Sequence, residues 1–142
     1  MTTLFVDTSA FYAIADGDDR HHRAAVSALQ MSVGTDRVVT SDHVLVESWL
    51  LICSRLGRRA AMRFWDGVSI DVLTVVGITA EDFRRAREIA REWSDQGFSI
   101  VDCTSFALIE RLDIRRACAF DKHFRIVRFG WPRHRALEIV PH

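Results

Sequence analysis

The chain is 142 residues long, 49% hydrophobic and 27% charged, and its 19 Lys and Arg residues balance 19 Asp and Glu. That length and composition suit one domain, residues 1–142, with a real core, and zero formal charge leaves no global basic field announcing a nucleic-acid binder. No stretch is long and apolar enough to span a bilayer, and Asp7 interrupts an N-terminal apolar run that lacks a basic lead. Neither an anchor nor a signal peptide is expected, and the chain is read as cytoplasmic.

Leu4-Phe5-Val6 is predicted to be a buried strand that ends at Asp7, with Thr8 or Ser9 capping a helix from about Ala10 to Ala15. Asp16-Gly17-Asp18-Asp19 reads as a solvated turn, since it lacks the spacing and closing glutamate of a calcium loop. A second helix is expected from Arg20 to about Val33. The adjacent His21 and His22 diverge on a helix and cannot hold one metal together, so they are read as structural.

Arg37–Thr40 is a short second strand, and Ser41-Asp42 starts a helix. Its segment Val44–Ile52 is apolar nearly all round, the pattern of a buried helix, with Glu47 as its only acid. A glutamate in such company needs either an arginine partner or a metal. Gly57 breaks this helix and Arg58–Asp66 forms another, whose Phe64 and Trp65, like Trp49 before them, are assigned to packing ahead of the alternative, a groove that takes a partner's helix. Val72–Val76 is the third strand. Thr79 caps a helix with Phe83, Ala86, Ile89, Ala90 and Trp93 at helical spacing, an i,i+4 pair from Glu81 to Arg85, and Gly97 as its stop.

Phe98–Ile109 opens the last long helix, where Ser99 and Asp102 have capping-box spacing. Capping alone accounts for Asp102, yet the helix is apolar on several sides of it. Ala117–Phe120 is a short strand stopping at another acid, Asp121, after which Lys122-His123-Phe124 turns the chain away. Leu137–Val140 is the last strand. Cys53, Cys103 and Cys118 are far apart in apolar surroundings, as small core residues in a reducing compartment are. Lys122 is the only lysine, a skew that biased coding composition or a preference for bidentate phosphate contacts both accommodate.

Alternation of strands and helices predicts an α/β fold, a mostly parallel sheet with helices on both faces. Asp7 and Asp121 end two strands, while Glu47 and Asp102 sit on helices in apolar company. If the four converge at the carboxyl edge of the sheet, Mg²⁺ or Mn²⁺ relieves their repulsion with oxygen ligands, and such a centre suits phosphodiester hydrolysis.

The segments FVDTSAF at Phe5–Phe11, LVES around Glu47, FSIVDCTSFALIERL at Phe98–Leu112 and AFDKHF at Ala119–Phe124 resemble the PIN-domain ribonucleases, above all VapC toxins of bacterial toxin–antitoxin pairs. The ordered set spans essentially the whole chain. This resemblance implies a PIN-like three-layer α/β/α fold with about five strands, and a Mg²⁺-dependent endoribonuclease (Mn²⁺ as a substitute) silenced by a VapB-type antitoxin. It also implies a homodimer. Asp7, Glu47, Asp102 and Asp121 match the family's acidic quartet; Ser9 matches a hydroxyl that orients the first acid, and Thr104 or Ser105 is assigned the same role beside Asp102. Cleavage leaving a 5′-phosphate and a 3′-hydroxyl is expected, with Asp7 and Asp102 in direct metal contact. Arg125, Arg128, Arg133 and Arg135 are candidates for the RNA phosphates.

Three other readings compete. A haloacid-dehalogenase-type phosphatase wants an acid two residues after its first, where Ser9 stands here. A receiver domain wants extra acids beside the first strand and a lysine near the end of the sheet. A PIN-like module that binds RNA or protein without cutting keeps the fold and loses the reaction.

Overall fold

The computed structural model describes residues 1–68, 72–130 and 132–142. Five strands, β1 (Thr2–Val6), β2 (Asp36–Ser41), β3 (Leu73–Val76), β4 (Arg116–Cys118) and β5 (Glu138–Val140), form one sheet. Its order is β3-β2-β1-β4-β5 and every adjacent pair is parallel. The helices among the described residues are α1 (Thr8–Ala15), α2 (His22–Ser32), α3 (Asp42–Leu56), α4 (Arg58–Val68), α5 (Ala80–Glu92), α6 (Ile100–Arg111) and α7 (His123–Ile126).

The chain moves outward from β1 to β2 to β3, then returns to β4 on the other side of β1. With right-handed crossovers, that reversal puts α1 to α4 on one face of the sheet and α5 and α6 on the other. The result is a three-layer α/β arrangement. The reversal also opens a crevice between the carboxyl ends of β1 and β4, the place where open parallel sheets bind ligands. Asp7 and Asp121 flank that crevice in sequence, each just beyond its strand.

The core is laid down by the central strands. Leu4, Phe5 and Val6 of β1, Val39 of β2 and Ala117 and Cys118 of β4 are fully buried. Strands covered on both faces read as continuous apolar runs, as β1 does. From α6, Phe106 meets Phe124 edge-on at 4.9 Å, and Phe124 stacks on Phe5 at 6.2 Å. Truncating such a ring typically costs about 3–5 kcal/mol, so this cluster holds α6 and α7 against β1, and with them the residues they carry. Cys103 and Cys118 are buried, Cys53 is half-buried, and all three are free thiols.

Several local expectations are corrected. The cap of α1 is Asp7 itself, whose carboxylate accepts from Ser9 N, so the helix starts at Thr8 rather than Ala10. On α3, Val44, Ser48 and Ile52 are buried, but Val46 is 60% and Leu50 58% exposed. The helix is apolar beyond what the core uses. Trp65 on α4, assigned to packing from sequence, is likewise 58% exposed. Helix α5 ends at Glu92, and Gly97, with φ of 67°, lies in the turn that leads to α6. Glu81 pairs with Arg84 rather than Arg85; Arg85 is taken by Glu88 and Glu92 of its own helix and by Glu110 of α6, the last a cross-helix contact that no local spacing announces.

Candidate metal centre

Asp7 begins where β1 stops. Its backbone N–H still donates to Cys118 O at 3.1 Å, continuing the β1–β4 ladder by one residue. The side chain then turns into the crevice and is only 4% exposed. Its Oδ2 accepts from Ser9 N at 3.2 Å and from Ser9 Oγ at 2.8 Å. Ser9 Oγ accepts in turn from Phe120 N at 2.9 Å. One hydroxyl thus ties the end of β1 to the segment just before Asp121. Burial pushes the Asp7 carboxyl up to about 7, the Ser9 and Thr8 hydrogen bonds opposing it and the charge of Asp102 adding to it.

Asp102 stands in the first turn of α6. It completes a reciprocal capping box: its N–H donates to Ser99 Oγ and its Oδ2 accepts from Ser99 N, both at 3.0 Å. Capping is therefore real, but it does not exhaust the side chain. The same Oδ2 lies 2.8 Å from Nδ1 of His123, and that nitrogen is 3.4 Å from Asp121 Oδ1. Asp121 Oδ1 also accepts from His123 N at 2.8 Å. The stretch Asp121–Phe124 does turn the chain away from the sheet, but it sends the His123 imidazole back between two carboxylates. Asp102, Asp121 and His123 each offer a ligand atom within 4.8 Å of the others.

His123 carries no assignment in the sequence reading. A signal was present in Asp121-Lys122-His123, an acid with a histidine two residues later. At that spacing an aspartate accepts from the backbone N–H two residues on, and so fixes how the histidine is presented.

Glu47, on α3, is half-buried. Burial raises its carboxyl above the usual carboxylate range, with the nearby Thr8 hydroxyl opposing and the charges of Asp102 and Asp121 adding. Asp7 feels Asp102, and Glu47 feels both Asp102 and Asp121, so all four acids share one electrostatic neighbourhood. The supporting hydroxyls divide. Thr104 Oγ1 donates to Val101 O at 3.1 Å, within its own helix. Ser105, one turn on from Asp102, is fully buried and its Oγ has no hydrogen-bond partner among the described residues, whereas the buried Thr8 hydroxyl lies against the Glu47 carboxyl.

Of the arginines assigned to RNA, three are engaged by the protein itself. Arg128 Nη1 donates to the carbonyls of Arg125, Ile126 and Val127, closing the end of α7. Arg133 lies 3.6 Å from Glu92 and over the Trp93 ring, and Arg135 is 3.2 Å from Asp113. Arg125 is exposed on α7.

Does this donor set fit a divalent cation? Two acids, Asp7 and Glu47, have carboxyls raised by burial and by neighbouring negative charge, which is the cost of gathering carboxylates without a neutralising ion. The donors are oxygens with one imidazole nitrogen, the chemistry of Mg²⁺ or Mn²⁺ rather than of a thiolate-bound metal. The residues fit the ion.

Residues 4–130 match the PIN domain family. The 23S rRNA-specific endonuclease VapC20 of Mycobacterium tuberculosis, in strains CDC 1551 / Oshkosh and ATCC 25618 / H37Rv, is 35% identical over 129 residues, which are 89% of this chain and 95% of that protein. The crystal structure of Mycobacterium tuberculosis VapC20, a sarcin-ricin loop cleaving toxin, is similar with a TM-score of 0.78 and 34% identity, over 84% of this chain and 90% of that one. DNA-bound VapBC from Salmonella typhimurium shares the fold at 14% identity, with a TM-score of 0.67 over 98% of this chain and 97% of that one. The parallel sheet, the acids at its switch point and these likenesses agree: the chain belongs to the PIN domain family and is of the VapC type.

Proposed function

We propose that this protein is a divalent-metal-dependent endoribonuclease and the toxin of a VapBC-type pair. The reading is supported by Asp102, Asp121 and His123 lying within reach of one ion, with Asp7 feeling the charge of Asp102 and Glu47 the charges of Asp102 and Asp121. Asp102 and Asp121 would hold the ion, with Asp7 joining them from the end of β1. A bound Mg²⁺ or Mn²⁺ would supply a water of lowered pKa and neutralise charge developing on the phosphate.

The chain's own groups do the rest. Ser9 holds the Asp7 carboxylate in one orientation and anchors the Asp121 segment through Phe120 N. His123 holds Asp102 and Asp121 together from one nitrogen. Glu47, its carboxyl raised by burial, is suited to position the attacking water and take up its proton. Hydrolysis then leaves a 5′-phosphate and a 3′-hydroxyl. No helix among the described residues is long and apolar enough to cross a membrane, in keeping with action on cytoplasmic RNA.

The curated relatives act on 23S rRNA, so the sarcin–ricin loop is the first RNA to test. The inhibitor is a VapB-type antitoxin. Leu45, Val46, Trp49, Leu50, Phe64 and Trp65 line a groove of about 480 Å³ between α3 and α4, with Arg58 at its edge. Apolar surface of this kind, left open and rimmed by charge, suits an amphipathic segment.

The decisive experiment is cleavage of a sarcin–ricin hairpin and a broad RNA panel with Mg²⁺, with Mn²⁺ and with EDTA. Metal-dependent cutting with mapped 5′-phosphate ends is expected. Absence of cutting across the panel with both metals overturns the enzyme in favour of a PIN-like binding module, and full activity in EDTA overturns the metal mechanism.

A further inference from the structure

Beside the acidic cluster lies an aromatic pair that the reaction as described leaves unused. The rings of His21 and Phe120 stack with centroids 4.3 Å apart and planes 13° from parallel. Phe120 immediately precedes Asp121, and its N–H donates to the Ser9 hydroxyl that binds Asp7. The pair therefore sits within one residue or two hydrogen bonds of two of the acids.

His21 reaches this position from the loop between α1 and α2, and the loop is tightly pinned. Asp19 Oδ1 accepts from His21 N at 2.8 Å, Asp16 Oδ1 accepts from Asp18 N at 3.0 Å, and His22 Nδ1 lies 2.8 Å from Ala13 O. Arg20 Nε donates to His21 Nε2 at 3.1 Å, and Arg20 is exposed. Neither ring is fully buried. The result is a fixed aromatic stack, edged by a guanidinium, at the mouth of an acidic crevice.

We propose that the His21–Phe120 stack and Arg20 form a nucleotide-positioning subsite: an RNA base flanking the scissile phosphate stacks on the pair, and Arg20 meets an adjacent phosphate. This rests on the ribonuclease reading above and adds where the substrate is gripped. Two physical demands meet here. RNA phosphates are repelled by four carboxylates, so binding energy must come from groups near them that are not acidic. Unpaired RNA bases stack on aromatic side chains whatever the base. Three of the four C-terminal arginines assigned to this work are spent on the protein's own acids, rings and carbonyls, whereas Arg20 makes a single bond to His21.

The test compares His21→Ala, Phe120→Ala, Arg20→Ala and His21→Phe with the unsubstituted protein, on a cleavable RNA hairpin and on hairpins made abasic at each nucleotide flanking the cut. The two ring-to-Ala variants are expected to raise KM about tenfold with kcat nearly unchanged, and His21→Phe, which keeps the stack, to restore KM. At one flanking position the abasic RNA should weaken the unsubstituted protein by the same factor, and there the Ala variants should lose nothing more. Arg20→Ala should lower the salt dependence of binding by about one phosphate contact. If losses from protein and RNA multiply at every flanking position while the unsubstituted protein cuts normally, the stack only holds the loop and the proposal falls. If the unsubstituted protein cuts no RNA with Mg²⁺, the ribonuclease reading fails first and the subsite falls with it.

Discussion

Nδ1 of His123 lies 2.8 Å from Oδ2 of Asp102, an oxygen that also accepts from Ser99 N at 3.0 Å. The carboxylate is thus oriented from two sides, by its own helix and by a residue after β4. Groups that orient metal-binding carboxylates typically contribute 10–100-fold to metal affinity or activity. His123→Ala is expected to lower Mn²⁺ affinity by about that factor, read by calorimetric titration, with cleavage falling in parallel. Unchanged affinity would remove His123 from the site.

Asp7 gives a pH prediction for the metal-free protein. Its carboxyl rises from 3.8 to about 7 on folding because burial disfavours the charged form. At pH below about 4 the group is protonated in both states and has no effect on stability. As pH climbs from 4 to 7 the unfolded chain ionises it and the folded chain resists, so stability is lost over that window and then levels off, by roughly 4 kcal/mol at most. Asp7→Asn keeps an acceptor for Ser9 and has nothing to ionise. In EDTA, its melting temperature should exceed that of the unsubstituted protein by a margin that grows from pH 4 to pH 7 and is constant above. A margin independent of pH would contradict the buried carboxyl.

Metal should reverse that penalty. A ligand bound only by the folded state stabilises by about 2.7 kcal/mol at a hundredfold excess over its dissociation constant. Mn²⁺ is therefore expected to raise the melting temperature of the unsubstituted protein by several degrees at pH 7.5, and to leave Asp102→Asn or Asp121→Asn almost where they were. Equal stabilisation of all three by scanning calorimetry would place the ion elsewhere.

The alternating architecture was legible because its strands are short apolar runs and two of its long helices carry explicit caps: Thr79 with Asp82 and Ser99 with Asp102 both form complete capping boxes. Asp7, Glu47, Asp102 and Asp121 were legible as acids in apolar company. What local pattern missed depends on long-range contact. His123 acquires meaning only when α7 folds back on α6, twenty-one positions away in sequence. Trp65, Val46 and Leu50 fit the pattern of a buried helix equally well, because periodicity reports that a face is apolar and not what covers it. The contacts of Arg133 and Arg135 were hidden for the same reason: Glu92 and Asp113 lie on distant segments.

That open apolar face separates inhibition from catalysis. Trp49 and Trp65 meet edge-on at 6.5 Å, and Arg58 lies 5.8 Å over the Trp49 ring, so the groove is an ordered surface. Leu50→Asp and Trp65→Glu put a charge where an apolar partner segment would bind, at positions already exposed, so the fold should tolerate them. RNA cleavage is expected to stay near normal while antitoxin affinity falls at least about tenfold, a loss typical of a truncated contact at an interface centre. Intact antitoxin binding, measured by titration calorimetry, would place the inhibitor on another face.

Ser9 gives the sharpest separation of structural and functional roles. Its Oγ donates to Asp7 Oδ2 and accepts from Phe120 N, so Ser9→Ala leaves a part-buried N–H unpaired and an aspartate held by the backbone N–H of residue 9 without the hydroxyl. Losing such a bond costs about 1–3 kcal/mol when one partner stays unsatisfied. Thr keeps the hydroxyl and Ala removes it. Ser9→Ala should therefore lower the melting temperature by a few degrees and cut kcat about tenfold or more at saturating Mg²⁺, whereas Ser9→Thr should recover most of both. If Ala loses stability but keeps kcat, Ser9 is only a staple between β1 and the Asp121 segment; if Thr fails to recover kcat while the fold is intact, the hydroxyl is not what orients Asp7.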